Sequence, residues 1–219
     1  MINAVVFDMD GVITDTEKLY RRFQLEVGLE YGIDEAKMNI ICEHLAGGNK
    51  YTNRDVFRSF VGDSPDYWEV REKIMDRLDT EIDTHGVELK KGVKETLLEL
   101  KRRGIKTALA TSTKRERAEK NLKMHDILSL FDQKVYGDMI EPGEGKPKPF
   151  IYLKACELLG EAPASSMAVE DSVNGLISAK TAGLYSVMVV DLIPPGPATE
   201  PYADKVFYEI KDILKIING

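Results

Sequence analysis

The chain has 219 residues, of which 43% are hydrophobic and 31% charged, and this balance is typical of a globular protein. Its net charge of −7 argues against nucleic acid as a partner, because proteins that bind the phosphate backbone usually present a basic face. No segment approaches the roughly 18 apolar residues of a membrane span, and the first residues do not resemble a signal peptide. We therefore expect a cytoplasmic protein that does not contact membranes.

Four short apolar runs predict buried parallel strands, because they lack the polar alternation of half-exposed strands. They are AVVF (4–7), KTALA (106–110), SMAV (166–169) and YSVMVV (185–190). Helical patterns that end at glycines lie between them, at 92–104, 148–160 and 171–183. A proline-rich loop at 193–201 is expected to precede a final strand and helix. This alternation predicts an α/β fold with a Rossmann-like, doubly wound parallel sheet.

The region after the first strand breaks the alternation. Helical stretches are predicted at about 17–31, 35–46, 52–61 and 65–82, with no convincing strand among them. We therefore predict an α/β core domain from residues 1–15 and 87–219, with an inserted all-helical cap domain at 16–86. Two connections between the same domains favour a hinge.

Chemically active side chains follow the ends of the predicted strands. In an open parallel sheet the ligand site lies outside the carboxyl ends of the strands, so these side chains are expected to meet at one edge. They are Asp8 and Asp10 after the first strand, Thr111 and Ser112 after the second, Lys146 in GEGKPKP, and Glu170 and Asp171 after SMAV.

Four carboxylates in one cleft predict a bound cation. Without one they would repel each other and raise each other's pKa. Mg²⁺ is the expected ion, because it is hard and prefers oxygen ligands. It would also bind a phosphate and stabilise the charge on a transferring phosphoryl group, while one carboxylate acts as nucleophile and a second exchanges a proton.

Four motifs, in this order, resemble those of the haloacid dehalogenase superfamily, in its phosphatase and β-phosphoglucomutase-like branch with a helical cap. They are FDMDGV, ALATST, GKPKP and VEDSVNG. The resemblance implies a phosphoric monoester hydrolase in which Asp8 forms an aspartyl-phosphate. It makes Asp10 the general acid/base that protonates the leaving oxygen and later activates water.

The resemblance also implies roles for the other core residues. Thr111 would bind the transferring phosphoryl group, and Lys146 would neutralise its charge. Ser112 has no role assigned by the resemblance and is kept as a candidate substrate contact. The implied Mg²⁺ ligands are Asp8, Asp10 through its backbone carbonyl, Glu170 and Asp171.

Substrate contacts are also expected from the cap, where basic residues stand at helical spacing in LAGGNKYTNRDVFRSF (45–60). A solvated basic face remains an alternative reading of these residues. The candidates are Thr16 and Glu17 at the first hinge, Tyr20, Lys50, Arg54 and Arg77.

The expected function is release of phosphate from a small phosphorylated metabolite, most simply a sugar phosphate, with no obligate protein partner. The alternative is a β-phosphoglucomutase-type mutase, which shares the first half-reaction. The mutases carry histidine where this chain has Tyr20 and arginine where it has Lys50, which favours the phosphatase. A phospho-accepting receiver-type signalling domain is a remote alternative, because receivers carry similar residues in a different order.

Overall fold

The computed structural model describes residues 2–45 and 50–217 and contains a six-stranded, all-parallel sheet between helices. The strands are β1 (Ala4–Phe7), β2 (Lys106–Ala110), β3 (Gln133–Val135), β4 (Ser166–Glu170), β5 (Tyr185–Val189) and β6 (Lys205–Phe207). The helices are α1 (Thr16–Glu30), α2 (Glu35–Leu45), α3 (Lys50–Val61), α4 (Tyr67–His85), α5 (Val93–Arg102), α6 (Arg115–Met124), α7 (Phe150–Leu159) and α8 (Val173–Thr181). The predicted α/β, Rossmann-like parallel sheet is confirmed.

The strand order β3-β2-β1-β4-β5-β6 puts β1 at the centre of the sheet. Phe7 pairs in register with Leu109 of β2 and with Val169 of β4. Because successive side chains of a strand point to opposite faces, β1 contributes to two separate cores. Val5 and Phe7 pack with residues of α5 and α6 on one face, and the other face packs against α7 and α8. Every residue of β1 is fully buried, which explains its unbroken apolar sequence.

The chain divides into two compact units, one from Thr16 to Val87 and one from the remaining residues on either side. The predicted second boundary, after residue 86, lies one residue earlier. The Thr16–Val87 unit, called the helical unit below, contains α1 to α4 and has its own apolar core. That core includes Phe23, Val27, Ile41, Phe57, Ile74 and Leu78.

Two elements of the sheet-containing unit are not predicted from the sequence, the edge strand β3 and helix α6. The predicted final helix is a 3-10 helix, Ile210–Lys215. In the part of the chain that the structure describes, no helix is both long enough and apolar enough to cross a membrane.

Candidate active site

The register of the central strands brings three predicted site residues to the same edge of the sheet. Asp8 comes directly after β1, Thr111 directly after β2, and Glu170 is the last residue of β4. The ladder continues past the strand ends, since the Asp8 amide donates to Val169 O at 3.0 Å and the Thr111 amide to Val135 O at 3.0 Å. Asp8 and Glu170 are therefore held by backbone hydrogen bonds on adjacent strands.

Lys146 joins these two carboxylates. Its Nζ lies 2.5 Å from Asp8 Oδ1 and 2.5 Å from Glu170 Oε1, and it donates a third, longer bond to Ala110 O at 3.3 Å. The side chains of Lys146, Asp8 and Glu170 are only 9%, 11% and 0% exposed. Burial alone would lower the pKa of Lys146, but the charges of Asp8 and Glu170 raise that pKa above its ordinary value. Lys146 is therefore a buried, charged ammonium group beside the predicted nucleophile.

One lysine does not balance the carboxylates around Asp8. Burial raises the pKa of Asp8 from 3.8 to about 7, and the charges of Glu170 and Asp10 add to this against the attraction of Lys146. A further cation would keep Asp8 ionised at neutral pH. Carboxylate oxygens of Asp8, Glu170 and Asp171 lie within 4.8 Å of one another. This all-oxygen donor set fits a hard divalent ion such as Mg²⁺.

Glu170 is held in one orientation by donors around its carboxylate. Besides Lys146, the Tyr152 hydroxyl donates to Oε1 at 2.6 Å. On the other oxygen, Oε2 accepts from the Asp171 amide at 3.2 Å and from Ser172 Oγ at 3.1 Å. Ser172 also caps α8 by accepting from the amide of Gly175. Glu170 therefore connects Lys146 to the segment just before α8, which contains Asp171.

Gly175 and Tyr152 complete this arrangement. A Cβ at Gly175 would lie 1.9 Å from Glu170 Cδ, so a side chain there would displace the buried carboxylate. Tyr152 is fully buried, and burial and the charge of Glu170 raise its pKa well above the ordinary value. Tyr152 is not among the predicted site residues, although a tyrosine on the buried face of a helix needs a hydrogen-bond partner for its hydroxyl.

Asp10 is held by Thr113, which is not among the predicted site residues. Thr113 Oγ1 donates to Asp10 Oδ2 at 2.8 Å, and the Thr113 amide donates to Thr111 Oγ1 at 3.0 Å. Thr111 itself is fully buried. Thr113 thus connects the end of β2 to the predicted general acid/base. It lies within the ALATST motif, two residues after Thr111.

Ser112, between those two threonines, is exposed. Its backbone carbonyl lies against Gly137, where a Cβ would come within 2.0 Å of the Ser112 oxygen. The contact of Ser112 with the rest of the fold is therefore made by its backbone.

Gly11 makes the turn that separates Asp10 from the helical unit. Its φ of +83° lies in the left-handed region that favours glycine. A Cβ at Gly11 would also lie 2.1 Å from Asp171 Oδ2. The glycine therefore serves the turn and lets the backbone approach the carboxylate of Asp171.

Four of the predicted substrate contacts lie on α1 and at the start of α3. Thr16 and Glu17 are the first two residues of α1. Tyr20 packs against the core of the helical unit, where burial raises its pKa to about 12. Lys50 begins α3, but its side chain lies outside the described residues.

The two predicted arginines of the helical unit form ion pairs within that unit. Arg54 Nη2 lies 2.6 Å from Asp55 Oδ1, with both side chains well exposed. Arg77 Nη2 lies 2.6 Å from Glu30 Oε1 and so links α4 to α1. These contacts give both arginines a structural partner.

A family model described as haloacid dehalogenase-like hydrolase matches residues 2–183. The chain belongs to this family. The match confirms the family named by the four motifs and makes the chain a member of a hydrolase family, as predicted.

Named relatives extend over nearly the whole chain. The phosphorylated carbohydrates phosphatase of Thermotoga maritima is 31% identical over 231 residues, which cover 99% of this chain and 98% of that protein. Hexitol phosphatase B of Escherichia coli is 30% identical over 206 residues, or 94% of this chain and 88% of that protein. The CbbY protein of Rhodobacter sphaeroides, solved in complex with phosphate, is 27% identical with a TM-score of 0.65, covering 97% of this chain and 96% of that chain. A mutant of CbbY has been solved in complex with xylulose-(1,5)bisphosphate.

Proposed function

We propose that this chain is a Mg²⁺-dependent phosphatase that acts on a small phosphorylated carbohydrate through an aspartyl-phosphate on Asp8. The observation that carries the proposal is the buried Asp8–Lys146–Glu170 bridge, with Asp171 beside it. It combines a rigidly held carboxylate nucleophile with a fixed positive charge, which are the two requirements of phosphoryl transfer to a side chain.

The proposed reaction uses Asp8 as nucleophile and Asp10 as general acid and base. A carboxylate oxygen of Asp8 attacks phosphorus, and the bond from phosphorus to the ester oxygen breaks. Asp10, oriented by Thr113, gives a proton to that leaving oxygen, and the dephosphorylated carbohydrate departs. Asp10 then takes a proton from a water molecule whose oxygen attacks phosphorus. The bond to Asp8 breaks, releasing inorganic phosphate and restoring both carboxyl groups.

Lys146 and Thr111 assist both transfers. The ammonium group of Lys146 is fixed within 2.5 Å of Asp8, so it is placed to offset negative charge on the transferring group. The Thr111 hydroxyl directly follows β2, the strand that pairs with β1. Its oxygen already accepts from the Thr113 amide, which leaves the hydroxyl proton for a phosphoryl oxygen.

Mg²⁺ would be held by Asp8, Glu170 and Asp171, with the Asp10 carbonyl. When bound, the ion supplies positive charge that keeps Asp8 ionised and stabilises charge on the phosphoryl oxygens. The all-oxygen cluster, in which Asp8 and Glu170 are buried, and the raised pKa of Asp8 support this assignment.

A phosphorylated carbohydrate is proposed as the substrate because two relatives, 30% and 31% identical to this chain, are named as phosphatases of such compounds. The residues of the helical unit proposed to contact it are Thr16, Glu17, Tyr20, Lys50, Arg54 and Arg77, with Ser112 from the other unit. The alternative is a β-phosphoglucomutase-type mutase, which shares the first half-reaction and then transfers the phosphoryl group to a sugar phosphate.

The test is a screen of sugar and sugar-alcohol phosphates with Mg²⁺, following free phosphate and kcat/KM. Activity should need Mg²⁺ and be lost in Asp8→Asn, whereas Lys148→Met should retain it because Lys148 pairs with Glu144 on the surface. Full turnover by Asp8→Asn would contradict the proposal. Conversion of β-glucose 1-phosphate to glucose 6-phosphate, with a trace of the 1,6-bisphosphate and no net phosphate release, would indicate the mutase instead.

A further inference from the structure

A further carboxylate lies at the same edge of the sheet, at the end of β5. Asp191 follows β5 after one intervening residue, and β5 pairs in register with β4, Met188 lying opposite Glu170. The Asp191 side chain is 13% exposed. None of the four sequence motifs includes Asp191, and the proposed reaction gives it no task.

The two oxygens of Asp191 have different surroundings. Oδ1 forms an ion pair with the ammonium group of Lys90, whose side chain is 19% exposed. Oδ2 is buried and has no hydrogen-bond partner among the residues that the structure describes. Buried carboxylate oxygens are normally satisfied by a donor, because an unpaired buried acceptor costs free energy. The Oδ2 atom therefore requires a donor that the described side chains do not supply.

Gly11 shows where that oxygen points. A Cβ built on Gly11 would lie 2.1 Å from Asp171 Oδ2 and 3.2 Å from Asp191 Oδ2. The two carboxylate oxygens therefore border the same space above the Gly11 backbone, and the glycine leaves this space open. Asp171 is one of the carboxylates of the proposed metal site.

We propose that Asp191 is a positioning residue of the metal site: its Oδ2 accepts a hydrogen bond from a water molecule on the cation that Asp171 binds, and Lys90 holds the Asp191 carboxylate in the orientation required. The inference rests on the proposed function for the presence of that cation. Mg²⁺ usually keeps several of its waters when a protein binds it. Such waters are strong donors, and the acceptors around them contribute to metal affinity.

Lys90 is needed because Asp191 would otherwise add an unbalanced charge to the cluster. The ammonium group of Lys90 can only donate hydrogen bonds. It pairs with Oδ1 of Asp191 and leaves Oδ2 to accept from the water. The Lys90–Asp191 pair thus presents one acceptor oxygen to the site without changing the net charge of the site.

The test measures Mn²⁺ binding to the metal-free full chain by electron paramagnetic resonance. The central variant is Lys90→Met/Asp191→Leu, which removes the acceptor but leaves the net charge unchanged. Replacing a buried ion pair by apolar side chains of similar size usually preserves folding, which circular dichroism will verify. We expect the dissociation constant for Mn²⁺ to rise at least tenfold, as for other losses of a group that supports a metal ligand.

The matched control is an ion pair beside the opposite end of β5. Asp204 pairs with Lys180 and accepts from the amide of Ser186 near the start of β5. Lys180→Met/Asp204→Asn removes this pair, keeps the net charge, and should bind Mn²⁺ within twofold of the wild type. Asp171→Asn should lose Mn²⁺ binding.

The outcomes separate this inference from the proposed function. A wild-type chain that does not bind Mn²⁺ would contradict the metal site itself. Wild-type binding together with less than a tenfold loss in Lys90→Met/Asp191→Leu would overturn the role of Asp191 alone. If that double variant does not fold, Asp191→Asn is measured against the same threshold. In that variant the amide oxygen should face Lys90, which donates to it. The amide NH₂ group then takes the position of Oδ2, so the acceptor is replaced by a donor.

Discussion

Replacement of Lys146 by methionine should destabilise the sheet-containing unit strongly. Methionine keeps most of the length of the side chain but leaves Asp8 and Glu170 without their shared cation. Both carboxylates are almost completely buried, and removing one partner of a buried ion pair costs about 3–5 kcal/mol. We expect a loss of that size in the free energy of unfolding of the metal-free protein at pH 8.

The loss should be smaller at pH 5.5. Because the pKa of Asp8 is raised from 3.8 to about 7, the folded chain retains a proton that the unfolded chain releases between about pH 4 and pH 7. The free energy of unfolding therefore falls as the pH rises through this window. Lys146→Met removes the positive charge that opposes the rise in the pKa of Asp8. The free energy of unfolding of this variant therefore continues to fall at higher pH. At pH 5.5 Asp8 is mostly neutral in both proteins, and only Glu170 loses its cation.

The assay must follow the sheet-containing unit by itself. The single tryptophan, Trp68, lies on α4 of the helical unit, so its fluorescence reports that unit. Amide hydrogen exchange of β1 and β4 in urea, with EDTA present, reports the strands that carry Asp8 and Glu170. Lys148→Met is the control. Its ion pair with Glu144 is exposed and contributes at most about 1 kcal/mol.

Two results would refute this reasoning. A loss below about 1 kcal/mol at pH 8, similar to that of Lys148→Met, would mean that the buried bridge contributes little to stability. An equal loss at pH 5.5 and pH 8 would mean that Asp8 does not titrate in the window given by its raised pKa.

Other contacts of the site give tests of single residues. Thr113→Val should lower kcat about tenfold because Asp10 loses its orienting donor, and Thr113→Ser should restore it; an unchanged kcat in Thr113→Val would contradict this role. Tyr152→Phe should lower the free energy of unfolding by about 1.5–3 kcal/mol, since the lost hydrogen bond ends on the buried charge of Glu170; urea unfolding that matches the wild type would exclude that contribution. Calorimetry should show Mg²⁺ affinity falling up to about tenfold for each pH unit below 7, because the ion must displace a proton from Asp8; affinity independent of pH would rule out Asp8 as a ligand with a raised pKa.

The central strands were predictable because burial on both faces leaves an apolar sequence with no alternation. The runs 4–7 and 106–110 coincide with β1 and β2 residue for residue. β3 was not predicted, because QKV is three residues long and has only one fully buried member. α6 was missed because its sequence, RERAEKNLKM, is mostly polar and buries only Ala118, Asn121 and Leu122.

The sequence motifs also named the residues that the structure brings together at the end of the sheet. Recognising a parallel sheet predicts that Asp8 and Glu170 share one edge of it. The strand order and register that place them on adjacent strands come from the structure. The supporting residues were not predictable, because they act through contacts between distant parts of the chain. Thr113 reaches Asp10 across 103 positions, and Lys90 reaches Asp191 across 101. Such pairings depend on loop paths that local sequence patterns do not encode.

The most direct test of the central claim is chemical trapping of the phosphorylated side chain. The wild-type enzyme is mixed with Mg²⁺ and a hydrolysed sugar phosphate, quenched within milliseconds, and treated with borohydride, which reduces an aspartyl-phosphate to homoserine. Peptide mass spectrometry should find homoserine at position 8, and none when Asp8→Asn is treated in the same way. Homoserine at a different aspartate, or rapid turnover with no trapped residue at position 8, would contradict the account.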